Sequence, residues 1–345
     1  MIDGDLNHLA QQAERMGRQL KALGSGLRPL NDEGPEPPVL SVVNFSESSR
    51  LLAYAADDLT VSVEAGMTVG ALNRELMAHG QWIPGFDRGG NDTLGGLVAS
   101  GLDTPFRGGY GSLAHRVLAL QVWTPGFGFI RTGAPVVKNV AGYSLGRLFW
   151  GSRGVFGLIT QITLKLAPLP EEEAWWMVSD IDSDWVASLT QWARPWAVLG
   201  SITRRQRTEG IAVWHGRRAM VQHLAGNLGK AQDQPMNFFK GDKPCQLTGA
   251  VPLGACQILV KEVPAGVDLL MEWQSGWFVA ESLDPEALQF LAQRIEVYAG
   301  VAVTLRGMPP IAAPFPKPMA TIYRRLRQHY DPRGILVDPW QVCVS

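Results

Sequence analysis

Apolar residues fall at Leu6, Leu9, Ala10, Ala13, Met16 and Leu20, the three-and-four spacing of an amphipathic helix. Gln19–Leu23 predicts a short strand that runs into the turn Gly24-Ser25-Gly26. After a Pro-rich link from Gly34 to Pro38, alternation over Val39–Val43 and Leu59–Val63 predicts two strands, broken by Gly66. Thr68 stands where a helix N-cap belongs, ahead of Val69, Leu72 and Leu76 on one face, with Gly80 as the stop. Val117–Val122 reads as a buried strand and Gln161–Leu166 as another.

From Glu171 the rhythm changes. Trp175–Val178, Trp196–Thr203 and Ile211–His215 read as strands, and Ser183–Ala193 and Arg218–Leu228 as helices. Gln257–Lys261, Trp277–Ala280, the helix Asp284–Tyr298 and Val301–Leu305 continue the alternation. This pattern predicts an α+β domain of mainly antiparallel sheet. A Pro-rich segment, Pro309–Pro318, leads to a basic helix over Met319–Tyr330.

Glycine is concentrated where ligand-binding turns would lie. In Ala22–Arg28, small residues would let amides converge on an anion, although Gly-Ser-Gly is also the composition of a simple turn. In Pro84–Gly101 a glycine-rich loop delivers Thr93, Gly95 and Gly96 to a helix start, where free amides and the positive end of the helix dipole suit phosphate. Gly151, Gly154 and Gly157 recur every third residue, a spacing costly in backbone entropy and expected where main chain passes close to a ligand or another strand. No strand-linked G-x-G-x-x-G is present, because Pro29 stands where the third glycine would be. A nicotinamide-dinucleotide fold is therefore not expected.

The run Lys138-Asn139-Val140-Ala141-Gly142-Tyr143, followed by Gly151–Thr160, resembles the signature of FAD-linked oxidases of the vanillyl-alcohol-oxidase type. Ala22–Arg28, Pro84–Gly101 and Tyr110-Gly111-Ser112 resemble further pieces of that family in its order, and Tyr330–Trp340 resembles its closing segment. The resemblance implies a two-part PCMH-type FAD-binding domain over 1–170, an α+β cap domain over 171–318, and a C-terminal helix and tail over 319–345 returning toward the flavin. It implies non-covalent FAD, held by Gly24, Ser25, Gly26, Leu27, Gly90, Thr93, Leu94, Gly95, Gly96, Ser100, Gly101, Tyr110, Gly111, Gly157 and Ile159. It further implies a FAD-binding subunit of a glycolate-oxidase-like 2-hydroxy acid dehydrogenase complex. There a small 2-hydroxy acid would give hydride to the flavin, and electrons would pass on to a homologous catalytic flavoprotein subunit and an iron–sulfur subunit.

Ala114-His115, Ser144, Arg153, Asp338 and Trp340 depart from the family pattern. They keep open a second reading, a non-catalytic binding or scaffold subunit that retains the fold. No catalytic base is assigned: there is no His-x-His motif, His215 and His223 read as isolated, and His115 reads as a surface histidine. Arg147, Arg306 and Arg324 could each bind a carboxylate or be solvated.

The totals narrow the partners. With 345 residues, a formal net charge of -1 and 18% charged residues, the chain lacks the field that would attract nucleic acid. Cys245, Cys256 and Cys343 have no metal-ligand spacing and are odd in number, so they read as reduced thiols and neither a metal site nor a disulfide framework is expected. No apolar run reaches the length of a membrane span. The expected location is the cytoplasm, with membrane association only through partners.

Overall fold

The computed structural model describes residues 6–23, 40–85, 90–134, 145–179, 181, 184–187, 189, 195, 197–202, 208–228, 243–307 and 317–338. By its contacts the chain forms two compact units, Met1–Asp103 with Leu113–Leu169 and Phe315–Ser345, and Thr104–Ser112 with Pro170–Pro314.

The first unit opens with α1 (Leu6–Arg15), whose Leu6, Ala10 and Ala13 are buried. Gly17 takes a φ of +63° and ends the helix, earlier than the periodicity predicted. Met16 is therefore exposed, while Leu20 is buried in the next element, β1 (Gln19–Leu23). β1 pairs in parallel with β2 (Leu40–Asn44). A five-stranded antiparallel sheet follows, built in the order β3 (Leu51–Ala55), β4 (Thr60–Glu64), β8 (Leu158–Lys165), β6 (Val117–Thr124) and β7 (Gly128–Gly133). β3 lies on the edge with mostly exposed side chains, which is why no alternation announced it. β8 is buried along most of its length, as a central strand covered on both faces must be.

Helix α2 (Val69–Met77) forms as its cap predicts, with the Ala71 N–H donating to Thr68 Oγ1 at 3.2 Å. The short strands β5 (Gln81–Trp82) and β9 (Ala167–Pro168) pair with each other. Helix α3 (Leu94–Ser100) lies against β8. The turn α4 (Arg107–Tyr110) groups with the second unit, whereas α5 (Leu113–Arg116) and α6 (Gly146–Phe149) belong to the first.

The second unit is one antiparallel sheet of seven strands, in the order β10 (Glu172–Ser179), β12 (Thr208–Gly216), β11 (Ala197–Ile202), β14 (Asp268–Glu272), β15 (Trp277–Ser282), β13 (Cys245–Ala250) and β16 (Val301–Arg306). Its helices are α7 (Arg218–Leu228), α8 (Leu253–Lys261) and α9 (Pro285–Val297). Gln257–Lys261 is the end of α8 rather than a separate element of the alternation, and β13 and β14 are strands that the pattern did not single out. Ser183–Ala193 falls largely outside the described residues.

Leu288, Leu291 and Ile295 of α9 are buried together with Leu247 and Phe278 of the sheet. Trp176 and Trp214 meet edge to face, with ring centroids 4.9 Å apart. With Trp273 and Trp277 they are buried in the core, so the tryptophan enrichment here serves packing.

The chain then returns to the first unit through α10 (Lys317–Tyr330). Beyond it, Leu336 bridges to Leu20 in parallel, with the Leu20 N–H donating to the Ile335 carbonyl at 2.7 Å. The C-terminal segment thus extends the β1–β2 pair.

Candidate functional site

The start of α3 is tied to the turn that follows β4. Thr93 caps the helix by accepting from the Gly96 N–H at 3.2 Å, Leu94 donates to the Met67 carbonyl at 2.9 Å, and Gly95 donates to the Ala65 carbonyl at 2.8 Å. The expectation of free amides at this turn is therefore corrected: the donors are spent on holding α3 against the sheet.

The two glycines do different work. A Cβ on Gly95 would fall 2.8 Å from Ala65 Cβ and 2.9 Å from its carbonyl oxygen, so packing alone requires glycine there. Gly96 is exposed, and a Cβ would meet only the capping Thr93 Oγ1, at 2.9 Å. Bare main chain at Gly96 is an opening that a bulky ligand group could approach. Gly90 is also engaged, its carbonyl accepting from the Gly70 N–H at 2.9 Å.

At the other end of α3 the structure brings Gly101 to the Gly151–Gly157 turn. Gly101 and Gly151 both have φ of +70°, and a Cβ on Gly101 would lie 2.9 Å from Gly151 Cα. Gly151 donates to the Val98 carbonyl at 2.9 Å and Arg153 to the Ala99 carbonyl at 2.8 Å. Ser100 turns its hydroxyl onto the Leu97 carbonyl at 3.2 Å. A Cβ on Gly157 would strike Val122 Cγ1 at 2.6 Å, which leaves only the main chain of Gly157 for any ligand. Ile159 is buried in β8 opposite Val122. The glycine recurrence, whose spacing read as a ligand-contacting turn, is accounted for among the described residues by the close approach of strand and helix.

Two polar groups mark this turn as more than packing. The Ser152 hydroxyl is buried without a hydrogen-bond partner among the described residues, a state that costs free energy unless something satisfies it. Arg153 holds φ at +53°, and burial pushes its guanidinium down to about 10. An anionic group nearby would relieve that desolvation. Exposed main chain at Gly96 and, at the other end of α3, the orphaned Ser152 hydroxyl are two places in this unit where the described residues leave polar groups for a ligand. Gly24, Ser25, Gly26 and Leu27, and the whole of Lys138–Ser144, lie outside the described residues.

The closing segment is engaged within the protein. Asp338 accepts from the Tyr323 hydroxyl at 2.7 Å and pairs with Arg327 at 3.2 Å. Burial, with Asp338 beside it, pushes the Tyr323 phenol well above its ordinary range. Asp331 accepts from the Ile335 and Leu336 amides at 2.9 and 2.8 Å.

The second unit holds a group that the sequence concealed. His215, read as isolated, is 1% exposed, with Glu173 Oε2 2.9 Å from its Nε2 and the Tyr110 hydroxyl 2.9 Å from its Nδ1. That reading is corrected. Glu173 and His215 are directly paired across β10 and β12. The second oxygen of Glu173 accepts from Trp175 Nε1 at 2.7 Å, and Phe106 lies over the imidazole with centroids 5.0 Å apart. No short-range pattern links residues 110, 173 and 215. His115, by contrast, is exposed on α5, as read. Tyr110 and Gly111 belong to this unit.

Nearby in the same unit, Glu272 is fully buried and accepts from Ser275 Oγ at 2.5 Å and from the Gln274 N–H at 3.0 Å. Burial raises its carboxyl to about 7 despite those hydrogen bonds. A Cβ on Gly108 would fall 2.8 Å from Glu272 Oε1.

Residues 3–132 match a family model described as an FAD binding domain. This part of the chain is thus similar to FAD-binding domains, which supports FAD as its cofactor. Over 122 residues the chain is 35% identical to glycolate oxidase subunit GlcE of Escherichia coli (strain K12), covering 35% of each chain. Over 129 residues it is 33% identical to the mitochondrial D-lactate dehydrogenase [cytochrome] of Arabidopsis thaliana, covering 37% of this chain and 23% of that one. The match therefore spans only about a quarter to a third of the length of these relatives. A solved structure of alkyldihydroxyacetonephosphate synthase superposes with a TM-score of 0.69 at 14% identity, covering 96% of this chain and 74% of that one. At that identity the likeness is one of fold. The α+β architecture with a mainly antiparallel second sheet is as the sequence predicted.

Proposed function

We propose that this chain is the FAD-binding subunit of a glycolate-oxidase-like 2-hydroxy acid dehydrogenase. The observation that carries the reading is the FAD-binding domain over residues 3–132, together with its similarity to a glycolate oxidase subunit. FAD, once bound, supplies the acceptor for a hydride from the carbon that bears the hydroxyl.

This chain's residues hold the cofactor without a covalent link. Gly96 leaves room for it at α3 and Arg153 supplies positive charge beside Ser152; Gly24–Leu27, Gly90, Ser100, Gly101, Tyr110 and Gly111 are further cofactor residues only by the family resemblance. Electrons then pass to a partner, which the reading assigns to a homologous flavoprotein subunit and an iron–sulfur subunit. Turnover depends on that assembly. The protein works in the cytoplasm, with any membrane contact made through its partners; among the described residues no helix is long and apolar enough to cross a membrane.

The test is anaerobic reduction of the bound flavin by glycolate, D-lactate and related 2-hydroxy acids, using the purified full chain. Slow bleaching is expected with the chain alone, and rapid bleaching by at least one of them once the partner subunits are added. Stable FAD binding with no bleaching by any, alone or with the partner subunits, would favour the scaffold reading.

A further inference from the structure

We propose that the outer face of α10 is the docking surface for an acidic face of the protein that takes electrons from this chain. The proposal rests on the redox reading above and gives its partner a place.

The helix carries Lys317, Arg324, Arg325, Arg327 and His329, and no aspartate or glutamate. It divides the arginines by face. Arg327 is turned inward and meets two carboxylates, Asp331 at 3.7 Å and Asp338 at 3.2 Å. Arg324 and Arg325 are exposed, and neither pairs with another of the described residues. No residue three or four positions from either is acidic, so the ion pairs that commonly neutralise a charged helix face cannot form. Both also precede the last turn, which holds Arg327 and His329, so the helix dipole does not account for them.

Apolar groups frame the arginines. Ile322 is 50% exposed, and Phe127, at the tip of the β6–β7 hairpin, is 52% exposed. Phe127 is held there by His329, with ring centroids 4.8 Å apart, and by Tyr330 at 5.9 Å. Ile322, Arg325 and His329 follow one another at three- and four-residue spacing and so share one line on the helix. That line leads to Phe127. Arginine beside exposed aromatic and aliphatic side chains is the composition of a protein interface, and its unpaired charge calls for carboxylates opposite. A membrane surface fits less well, because an interfacial helix presents its apolar side to the lipid, whereas α10 turns Tyr323 and Tyr330 inward.

The inner face ties this surface to the cofactor reading. Tyr323 and Tyr330 pack on Phe156, with centroids 5.6 and 6.3 Å apart, and Phe156 stands in the Gly151–Gly157 turn to which that reading assigns Gly157. A helix with its side chains is about 10–12 Å thick, so a partner seated on the outer face lies about that far from the turn. Two electrons per turnover leave the reduced flavin for the partner's iron–sulfur centres, which are reduced in its place, and the two protons pass to solvent.

The test titrates the purified iron–sulfur subunit onto the FAD-loaded full chain at low salt. Arg324→Glu combined with Arg325→Glu is expected to weaken binding by about tenfold or more with FAD content unchanged, and Arg324→Gln combined with Arg325→Gln to weaken it less. The unmodified chain should lose affinity as salt rises, and the charge-reversed chain should not. Two acceptors of known charge read the same surface without the partner. Reoxidation of the photoreduced flavin by the anion ferricyanide should slow about tenfold on charge reversal, whereas reoxidation by the cation hexaammineruthenium(III) should not slow. Equal affinity of the unmodified and charge-reversed chains for the subunit, or equal slowing of both acceptors, overturns the docking surface and leaves the redox reading standing. Vesicles of equal parts phosphatidylcholine and phosphatidylserine are expected to leave the protein in solution; binding that charge reversal abolishes would assign the face to a membrane and overturn the proposal. An unmodified chain that holds no FAD, or whose flavin passes electrons to no partner subunit, overturns the redox reading, and the docking proposal falls with it.

Discussion

In the first unit the candidate chemistry is main chain. Gly95 is glycine to pack on Ala65, Gly101 and Gly151 are glycine so that two backbones can touch, and Gly96 leaves bare backbone open to the outside. In the second unit it is side chain, with a carboxylate and a phenol each 2.9 Å from a buried imidazole and a second carboxylate buried in the same unit. A main-chain site is damaged by what is added to it, and a side-chain site by what is removed. The two units should therefore answer opposite kinds of substitution.

The largest contrast is at α3. Gly96→Glu places a negative side chain where diphosphate is expected and meets little of the protein itself. FAD affinity, followed by flavin fluorescence titration, should fall by more than ~100-fold, with an unchanged circular dichroism spectrum. Unchanged affinity would show that the exposed backbone at Gly96 is not a cofactor contact. Gly95→Val should act on the fold instead: its contact with Ala65 forces repacking, at a cost of about 3 kcal/mol or more in urea denaturation. Full stability in that variant would contradict the packing assigned to Gly95.

A smaller effect is expected at Glu272. Its carboxyl is raised from 4.5 to about 7 by burial, so the unfolded chain ionises at lower pH than the folded one. The contribution is fully present below 4.5 and is lost as pH rises through about 7. Glu272→Gln removes that loss and should be more stable than the unmodified protein at pH 8, by about 2–3 kcal/mol at most. The difference should shrink toward zero at acid pH. Melting curves that stay parallel across the range would show that the carboxylate is not held neutral.

The smallest effects are those of the helix caps, where the two units should behave alike. Thr68 accepts from the Ala71 N–H in the first, and Asp284 from the Glu286 N–H in the second. Replacement of either by alanine should cost about 1 kcal/mol by denaturation. A marked inequality would mean that one of these caps carries tertiary contacts as well.

The same division explains what could be read from the sequence. Thr68, Thr93 and the recurring glycines act on residues a few positions away, so their spacing exposes them, and α2 and α3 appear where those signals place them. The tasks of individual glycines were hidden, because the spacing of Gly151 and Gly157 is the same whether a ligand or a neighbouring strand comes close. β3 was silent because an edge strand with exposed side chains needs no alternation. His215 seemed isolated because its partners depend on the register of β10 against β12 and on Tyr110, 105 positions away. Such register is set by the whole sheet and leaves no local trace.

The most direct measurement is the visible spectrum of the purified full chain, before and after acid precipitation. Flavin absorbance is expected in the native protein at one FAD per chain, passing completely into the supernatant on acidification. Colourless protein that takes up no added FAD would contradict the cofactor site at α3 and the Gly151–Gly157 turn, and colour retained in the precipitate would contradict non-covalent binding.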